Sequence, residues 1–541
     1  MGRRVVLHVL STALLGIIAL IPTAANAAAV ACESLITVAL PSATVSAATS
    51  IPAGPFVPPN ATAPVTVPAF CRVQGVATPT SDSVIHFEVW LPATGWNGKY
   101  DGAGNGGYGG SFSTPDGFMV AGLRRGYATA GSDMGHVAAV TPGGSWALGH
   151  PEKITDWGYR ASHVTAEVAK SVIKAFYGIG PRLSYFTGCS DGGHEALMEA
   201  QRFPDDYDGL VAGASANFWT HQSAAWVWEE EREGLDNPAS IVPPSKLPMI
   251  TAAAVAACDA IDGVVDGLIT DPRRCRFDPA TLLCQAGDAP TCLTAAQVDA
   301  VKQIYQGPVD PRTGKQIYPG LERGGEYGWP GDQGSLGRDF FRYFVFANPS
   351  WDYHTLDFDH DIALADAEVG SVINSTDPNL STFKARGGKL IMYHGWNDPR
   401  VNPRNSINYF ESVVATMRHG HHNHDHDDGD AALEETHKFF RLFMAPGMGH
   451  CQGGPGLNTF DTLTALEQWV EHGIAPDKLI ASNAGLSFPY NVETPGTGSF
   501  TRPLCSYPQQ AVYTGHGSTS DAENFVCRGV TEDDGHDRND R

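Results

Sequence analysis

The chain has 541 residues, of which 42% are hydrophobic and 18% are charged, and its formal net charge at pH 7 is −23. A chain of this length has room for roughly two to four domains, and its hydrophobic fraction can supply a large buried core. The negative charge repels phosphate backbones and anionic lipid, so nucleic acids and membrane surfaces are poor candidates for partners.

The N-terminal end has the three parts of a secretory signal peptide. Two arginines precede an apolar run from Val5 to Ile21, and the small residues Ala25-Asn26-Ala27 follow as a cleavage site. The run is short for a membrane anchor, and no later stretch reads as long and apolar enough to cross a bilayer. We therefore expect residues 1–27 to be removed and the mature protein to be exported, either secreted or periplasmic.

All ten cysteines lie after this segment. An even number of cysteines in an exported chain favours disulfide bonds over free thiols. A cysteine nucleophile is therefore not expected.

The first part of the mature chain predicts antiparallel strands. Residues 33 to about 95 contain alternating stretches such as Val84–Trp90, which are typical of strands separated by turns. The segment Lys99–Ser111 follows and is rich in glycine. Such a loop lets backbone N–H groups approach a ligand closely, and the alternative is a flexible hinge. Gly106 and Gly107 are the two candidate donors in this loop.

A helix is predicted over Tyr159–Tyr177. Its apolar residues recur at four-residue steps, the pattern of a helix that packs on a sheet; they are Val164, Val168, Val172 and Phe176. Gly178 ends the pattern. Short apolar strands follow at Leu183 and at Asp208–Ala214, and this alternation of strand and helix predicts a parallel sheet with helices on its faces.

Between those two strands lies the segment Gly188-Cys189-Ser190-Asp191-Gly192, followed by a helix to Arg202. A G-x-S-x-G pattern between a strand and a helix is typical of a nucleophile elbow, in which small residues let the chain turn sharply and expose the serine hydroxyl. A glycine-serine turn without chemistry is the alternative. In an α/β-hydrolase fold, the N–H of Asp191 and an N–H of the earlier glycine-rich loop would stabilise the oxyanion.

Residues 219–384 interrupt this alternation with sequence rich in proline, glycine and aromatic residues. We interpret them as a lid domain inserted into a catalytic domain of residues 28–218 and 385–541. The strand pattern resumes at Gly388–Asp398, and a helix follows over Arg404–Met417. A further strand over Phe439–Met444 leads to His450, and a last helix is predicted around Thr459–His472.

Ser190, Asp398 and His450 occur in the chain order of an α/β-hydrolase triad, each at the end of a predicted strand. A neutral imidazole must take the serine proton, and the carboxylate fixes the imidazole tautomer. His394 and His437 are the alternatives for the base, and Asp398 could instead cap the following helix. Cys189 and Cys451 adjoin Ser190 and His450, and a disulfide between them would tie the two loops together, although spacing does not specify this pairing.

An acidic, glycine-containing loop lies between Cys258 and Cys275. Its carboxylates in quick succession suit Ca²⁺ better than a soft metal, and the alternative is a solvated acidic loop. The histidine-rich run 418–428 could bind zinc or nickel, but we favour a polar surface loop.

The densest aromatic run of the lid is Arg338–Phe346. It predicts either a lid-core helix with mutually buried rings or an aromatic wall whose Arg338 and Arg342 meet a substrate. An aromatic-walled cleft would favour planar acyl groups. Together with His394 and Trp396 of the His-Gly-Trp-Asn-Asp segment, these two arginines are the candidates for substrate binding.

Four segments together resemble the tannase and feruloyl esterase family, which includes fungal tannases, feruloyl esterases and a bacterial mono(2-hydroxyethyl) terephthalate hydrolase. They are Gly-Cys-Ser-Asp-Gly-Gly, His-Gly-Trp-Asn-Asp, Gly-His-Cys-Gln-Gly-Gly and Cys-Asp-x-x-Asp-Gly-x-x-Asp-Gly. The similarity extends from about Cys32 to Cys527 and implies an α/β-hydrolase fold with a large lid. It also implies a triad of Ser190, Asp398 and His450. The histidine-rich run departs from the family pattern.

The resemblance further implies five disulfides and a structural Ca²⁺. The disulfides would be Cys189–Cys451, Cys32–Cys71, Cys258–Cys275, Cys284–Cys292 and Cys505–Cys527. The Ca²⁺ ligands would be Asp259, Asp262, Asp266 and the carbonyls of Val264 and Leu268.

These observations lead to the hypothesis of an exported serine esterase that cleaves small esters of aromatic acids through an acyl-enzyme. Galloyl, feruloyl and terephthaloyl esters all remain open as substrates, and the sequence specifies no oligomeric state. A second hypothesis from another class is a catalytically silent hydrolase fold that serves as a Ca²⁺-dependent binding module. The complete set of triad residues argues against the second hypothesis.

Overall fold

A computed structural model of the chain describes residue 2 and residues 30–138, 143–329, 333–419, 428–484 and 498–529. The expected signal peptide, apart from Gly2, and nearly all of the histidine-rich run lie outside the described residues. The strands are β1 (Ala43–Ile51), β2 (Gly54–Phe56), β3 (Val65–Val67), β4 (Phe70–Ala77), β5 (Ile85–Pro92), β6 (Lys99–Ala103), β7 (Ala128–Ser132), β8 (Leu183–Cys189), β9 (Gly209–Gly213), β10 (Lys389–Gly395), β11 (Phe440–Ala445), β12 (Lys478–Ser482), β13 (Thr501–Cys505), β14 (Gln509–Tyr513) and β15 (Phe525–Gly529). The helices are α1 (Pro115–Arg124), α2 (Pro151–Thr155), α3 (Ala161–Tyr177), α4 (Asp191–Arg202), α5 (Trp219–Glu230), α6 (Leu247–Cys258), α7 (Ala295–Gln306), α8 (Gln333–Asp339), α9 (His360–Ala365), α10 (Ser371–Ile373), α11 (Ser381–Ala385), α12 (Pro403–His419), α13 (Asp428–His437) and α14 (Thr462–His472).

A nine-stranded sheet in the order β1-β4-β5-β7-β6-β8-β9-β10-β11 organises the molecule. The pairs β1/β4, β4/β5 and β5/β7 are antiparallel, whereas the pairs from β7/β6 to β10/β11 are parallel. The predicted antiparallel lead-in and parallel core are therefore confirmed, and the chain has the α/β-hydrolase fold. The carboxyl ends of β8 and β10 lie at the same edge of the sheet, and the residues of the site follow directly after strands of this parallel part.

Helix α3 shows why the sequence builds this architecture. Its predicted apolar face is buried, with Val168 and Val172 almost fully inaccessible to solvent. These residues share one hydrophobic cluster with Phe87 and Val89 of β5. The helix ends where Gly178 adopts a φ of 76°, the left-handed conformation that glycine takes without steric cost.

The segment interpreted as a lid does not have one independent core. The residues of α6 and α7 form a cluster of their own, which includes Ile250, Val301 and Trp329. The aromatic residues of α5 and of the turn after α8, such as Trp219 and Phe340, belong instead to the main cluster of the sheet. The aromatic run therefore packs as a buried core, and the lid boundaries at 219 and 384 stay a prediction.

One sequence expectation needs correction, because the segment Pro238–Asp262 is long and apolar enough, by length and composition, to cross a membrane. In the fold it is divided into three short 3-10 turns and helix α6. The buried side chains of α6, including Leu247 and Ile250, pack in the lid cluster. One face of α6 thus packs in this cluster, through the buried residues Leu247, Ile250, Ala254 and Cys258.

Candidate active site

Ser190 occupies a sharp turn between β8 and α4. Its φ is 65° and its ψ is −118°, a conformation that residues other than glycine rarely adopt. The turn is tight on both sides, because a Cβ at Gly188 would lie 2.3 Å from the carbonyl oxygen of Gly192 and a Cβ at Gly192 would lie 3.0 Å from the carbonyl oxygen of Asn105. Backbone hydrogen bonds from Ser190 N–H to Gly213 (2.9 Å) and from Ala216 N–H to Ser190 (3.0 Å) fix the turn to β9 and the residues after it.

Asp398 and His450 are in direct contact. The distance between Nδ1 of His450 and Oδ2 of Asp398 is 2.7 Å, so the imidazole donates from Nδ1 and keeps Nε2 for another partner. The second oxygen of Asp398 accepts the backbone N–H groups of Arg400 (2.8 Å) and Val401 (3.0 Å). Burial disfavours the charged carboxylate, but the neighbouring charge of His450 and hydrogen bonds from His394 and His450 outweigh it, so the pKa of Asp398 lies well below its usual range.

The two alternative bases occupy other positions. His394 is fully buried, and its Nε2 lies 3.1 Å from Asp398 Oδ2 and 2.9 Å from the carbonyl oxygen of Val401. Its Nδ1 lies 2.7 Å from the hydroxyl of Ser406, so both ring nitrogens have partners. His437 bonds the carbonyl of Tyr507, and burial together with Arg441 lowers its pKa. Neither lines the cavity that contains Ser190, whereas His450 does.

Ser190 and His450 open into one cavity of about 760 Å³. Its walls combine the glycine-rich loop, the elbow itself, the turn after β9, α5, Tyr327 with Gly328, α8 and the turns after β10 and β11. The larger side chains that line it are Trp219, Trp226, Tyr327, Leu336, Arg400 and Val401. A cleft of this size, apolar with a few polar groups, is suited to a small organic ligand.

A disulfide joins the two loops at the residues next to Ser190 and His450. The Cα atoms of Cys189 and Cys451 are 5.9 Å apart and their sulfur atoms are bonded. Cys451 has a φ of 62°, so the bridge connects two turns in unfavourable backbone conformations. The structure also forms the other four pairings implied by the resemblance.

Of the two candidate donors in the glycine-rich loop, one has a free N–H group among the described residues. The N–H of Gly106 donates to its neighbour's side-chain oxygen, Asn105 Oδ1, at 2.8 Å. Gly107, with a φ of 58°, has no acceptor for its N–H among the described residues. The N–H of Asp191, the first residue of α4, has no acceptor within the helix. Of the oxyanion candidates, Gly107 and Asp191 therefore have N–H groups available, and Gly106 does not.

Asn105 holds this loop against α4, a role that the sequence patterns did not predict. Its N–H donates to Oε1 of Glu195 at 2.7 Å, and its carbonyl accepts the N–H of Gly192 at 3.0 Å. Its side-chain amide donates to the carbonyls of Ser111 (3.1 Å) and Ser132 (2.9 Å). Hydrogen bonds of the backbone and side chain of Asn105 thus fix the position of the loop relative to Ser190.

The side chain of Asp191 is buried among aromatic rings. Neither carboxyl oxygen has a hydrogen bond of ordinary geometry among the described residues, although Trp157 and Trp219 lie beside it. Burial, and then the nearby Glu195, raise the pKa of Asp191 well above its usual value. Burial likewise raises the pKa of Glu195. Burial therefore favours the uncharged form of both groups.

The remaining substrate-binding candidates do not line this cavity. The guanidinium of Arg338 pairs with Glu230. Arg342 donates to the carbonyl of Trp351 at 3.3 Å and lies 3.6 Å from Asp339. Trp396 is buried beside Arg273, next to a separate small cavity.

The lining residues that the sequence did not predict include Trp219 and Trp226. Their seven-residue spacing, which places them on one face of a helix, was the available signal.

The acidic loop has a donor set that fits a hard cation. Asp259 is buried, and its carboxylate accepts the N–H groups of Asp266 (3.1 Å) and Gly267 (2.9 Å), which curls the loop around it. Asp266 also contacts the buried guanidinium of Arg502. With Asp262 and the carbonyls of Val264 and Leu268, the segment offers only oxygen ligands, the kind that Ca²⁺ prefers. The Cys258–Cys275 disulfide closes the segment.

Among the described residues, the group of His, Cys, Asp or Glu side chains that brings potential metal ligands within 4.8 Å of one another is not the acidic loop but His163, Glu199 and Asp206. The carboxylate of Asp206 already accepts from Nδ1 of His163 at 2.5 Å, and the ammonium of Lys170 lies 3.4 Å from its other oxygen. Because the His163 ring and the Lys170 ammonium already contact the two oxygens of this carboxylate, we assign no metal to the group.

The tannase and feruloyl esterase family matches residues 71–528 of the chain. An uncharacterized esterase from Xanthomonas campestris is 43% identical over 560 residues, covering 96% of this chain and 95% of the relative. The mono(2-hydroxyethyl) terephthalate hydrolase from Piscinibacter sakaiensis is 33% identical over 545 residues, covering 85% of each chain.

Two solved structures share the fold. The feruloyl esterase B from Aspergillus oryzae superposes with a TM-score of 0.81 at 31% identity, covering 92% of this chain and 99% of that one. The tannin acyl hydrolase from Aspergillus niger has a TM-score of 0.74 at 24% identity, with 92% and 95% coverage, which is a likeness of fold.

Proposed function

This chain belongs to the tannase and feruloyl esterase family and is a carboxylic ester hydrolase, and we propose that it cleaves esters of aromatic acids with Ser190 as nucleophile, His450 as base and Asp398 as the orienting carboxylate. The observation that carries the proposal is the 2.7 Å contact between His450 and Asp398, at the wall of the cavity into which the Ser190 elbow opens. The disulfide between Cys189 and Cys451 holds the nucleophile and the base in register.

The geometry supports acyl transfer in two stages. Oγ of Ser190 attacks the ester carbonyl carbon while its proton passes to Nε2 of His450, and the carbonyl oxygen becomes an oxyanion. The N–H groups of Gly107 and Asp191 donate to that oxyanion. Collapse breaks the bond to the alcohol, which takes the proton from His450 and leaves an acyl group on Ser190. A water molecule then repeats the sequence, releases the acid and restores the serine.

The walls of the cavity support an aromatic acyl group. Tyr327 is 38% exposed and offers a flat ring, whereas Trp219 and Trp226 line the cavity with only 1% and 4% of their surface exposed. A planar acyl group stacks on a ring such as that of Tyr327 with little loss of rotamer entropy. The names of the relatives point to feruloyl esters or to mono(2-hydroxyethyl) terephthalate. Esters of ferulic, gallic and terephthalic acid are therefore the substrates to test.

We further propose that the acidic loop holds a structural Ca²⁺ through Asp259, Asp262, Asp266 and the carbonyls of Val264 and Leu268. When bound, the ion would neutralise the carboxylates and fix the loop. None of these residues lines the cavity of Ser190, so chelation should lower the melting temperature without changing turnover while the protein stays folded. The five disulfides fit an extracellular protein, which supports export by the proposed signal peptide.

The function is tested with Ser190→Ala and a serine-directed phosphonate label. Wild-type protein should hydrolyse at least one of methyl gallate, methyl ferulate and mono(2-hydroxyethyl) terephthalate faster than p-nitrophenyl palmitate, as judged by kcat/KM. The variant should bind no label and lose hydrolysis by about 10⁴-fold or more while it keeps its melting temperature. Wild-type turnover by Ser190→Ala, or a preference for the palmitate ester, would contradict the proposal.

A further inference from the structure

The oxyanion donor proposed at Gly107 lies in a tight turn of the glycine-rich loop. The N–H of Gly109 donates to the carbonyl of Gly106 at 3.0 Å, which makes Gly107 and Tyr108 the two central residues of the turn. Gly107 lines the catalytic cavity, and a Cβ placed there would meet no heavy atom of the described residues within 4 Å. The direction of its N–H therefore depends on how the other central residue is held.

Tyr108 is anchored to two helices of the segment interpreted as a lid. Its hydroxyl donates to the carbonyl of Leu336 in α8 at 2.8 Å. Its ring stacks on Trp219 of α5 and on Phe344 of the turn after α8, with centroid distances of 5.6 and 5.3 Å. The side chain is fully buried, and burial raises the pKa of Tyr108 well above its usual value, so the phenol keeps the proton that it donates.

The flanks of the turn are held by other parts of the molecule. On one side Asn105 is fixed by Glu195 of α4, and on the other the N–H of Gly110 donates at 2.9 Å to the carbonyl of Asp133, the residue after β7. The turn between these flanks, residues 106–109, contains three glycines and Tyr108. Every side-chain contact of the turn with α5 and α8 therefore comes from Tyr108.

We infer that Tyr108 is a positioning residue that fixes the oxyanion donor Gly107 to α5 and α8, so that the oxyanion hole is complete only while these helices are docked. Leu336 lines the cavity, as Gly107 does, whereas Tyr108 is not among the described residues that line it. An acyl group that packs against α8 thus also stabilises the anchor of the donor that serves its own carbonyl oxygen. This inference rests on the proposed function, because it concerns the oxyanion of the same ester cleavage.

The test removes the hydroxyl of Tyr108 and keeps its ring. In Tyr108→Phe the bond to Leu336 is lost, and kcat for the best ester should fall by about 10-fold with KM within about 2-fold, because the displaced donor acts on the oxyanion and not on the bound ester. Phenylboronic acid forms a tetrahedral adduct on a catalytic serine and should bind about 10-fold more weakly. Benzyl alcohol, which brings no oxyanion to the site, should bind within about 2-fold of wild type.

The matched control is Tyr177→Phe. Tyr177 is another buried tyrosine whose hydroxyl donates to a backbone carbonyl, that of Pro92, at 2.7 Å, and it is not among the described residues that line the cavity. This variant loses the same kind of hydrogen bond, so its melting temperature should fall to a similar extent. Its kcat and its affinities for the two inhibitors should stay within about 2-fold of wild type.

The outcomes separate the role of Tyr108 from the esterase proposal. If Tyr108→Phe matches Tyr177→Phe, or weakens both inhibitors equally, the role of Tyr108 is wrong and the esterase proposal stands. If Tyr108→Phe does not fold, Phe344→Leu takes its place, because it trims a ring that stacks on Tyr108. Parallel falls in its kcat and its affinity for phenylboronic acid support the inference, and unchanged values overturn it. If wild-type protein cleaves no ester, the proposed function itself fails.

Discussion

Two buried aspartates lie within the same site, and their pKa values are shifted in opposite directions. Asp398 follows β10 and receives four contacts, two from histidines and two from backbone N–H groups. Asp191 begins α4 and receives no hydrogen bond of ordinary geometry among the described residues. Burial opposes ionisation of both, but only Asp398 has partners that outweigh it, so its pKa is lowered while that of Asp191 is raised.

The difference matches what each position needs. A carboxylate beside His450 stabilises the imidazolium that forms when the serine proton is taken. A negative charge beside the Asp191 N–H would instead oppose the oxyanion that this N–H stabilises. The two pKa shifts thus favour a carboxylate charge where positive charge develops and disfavour it where negative charge develops.

Replacing the charged aspartate should have the largest effect. Asp398→Asn places an amide where Nδ1 of His450 needs an acceptor, which favours the wrong tautomer. We expect kcat to fall by about 10⁴-fold with the fold retained, measured by steady-state kinetics beside a thermal melt. A variant that keeps more than about a tenth of wild-type turnover would show that another group orients His450.

Removing the disulfide between Cys189 and Cys451 should have the second largest effect on turnover. We expect the paired change Cys189→Ala with Cys451→Ala to lower kcat by about 10-fold or more, because Ser190 and His450 then depend on packing alone for their register. The control is Cys505→Ala with Cys527→Ala, which removes a bridge outside the cavity and should cost only stability, roughly 2–4 kcal/mol. Both pairs are compared at a temperature where each protein is folded, and equal losses of turnover would deny the first bridge a special role.

The support of the oxyanion loop can be tested at Glu195. Glu195→Leu leaves the buried N–H of Asn105 without its acceptor, so the loop that carries Gly107 should shift. We expect kcat to fall by about 10-fold while KM changes little, because the lost interaction acts on the oxyanion rather than on the bound ester. Glu195→Gln keeps an acceptor and a neutral side chain and should stay close to wild type. A loss of kcat in Glu195→Gln as large as in Glu195→Leu would show that the acceptor is not what matters.

The sequence predicted the parts of this site that depend on local chain geometry. The strand, the G-x-S-x-G turn and the helix around Ser190 are read from neighbouring residues, and so is the order of Ser190, Asp398 and His450. It did not predict Trp219, Trp226 or Asn105, because their contacts join residues distant in the chain. The aromatic run at Arg338 suggested a substrate wall, but its rings satisfy one another in the core and its arginines pair with lid groups.

The smallest effect on turnover is expected at the neutral aspartate. If Asp191 is already uncharged at pH 7, Asp191→Asn should keep kcat within about 5-fold of wild type. The effect should instead appear in the pH dependence of stability. The folded-state pKa of Asp191 is raised above its unfolded value, so the folded protein holds a proton that the unfolded chain releases. The free energy of unfolding of the wild type therefore falls as pH rises from the unfolded pKa towards the folded one. The amide of the variant has no proton to release, so the free energy of unfolding of the variant should gain on wild type as pH rises from about 4 through the neutral range, measured by urea denaturation at a series of pH values. Because Glu195 interacts with Asp191, the same two pH profiles are also measured in a Glu195→Gln background, where the difference between them belongs to Asp191. Parallel pH profiles, or a loss of kcat near that of Asp398→Asn, would mean that Asp191 is ionised in the folded protein and that the contrast between the two aspartates is wrong.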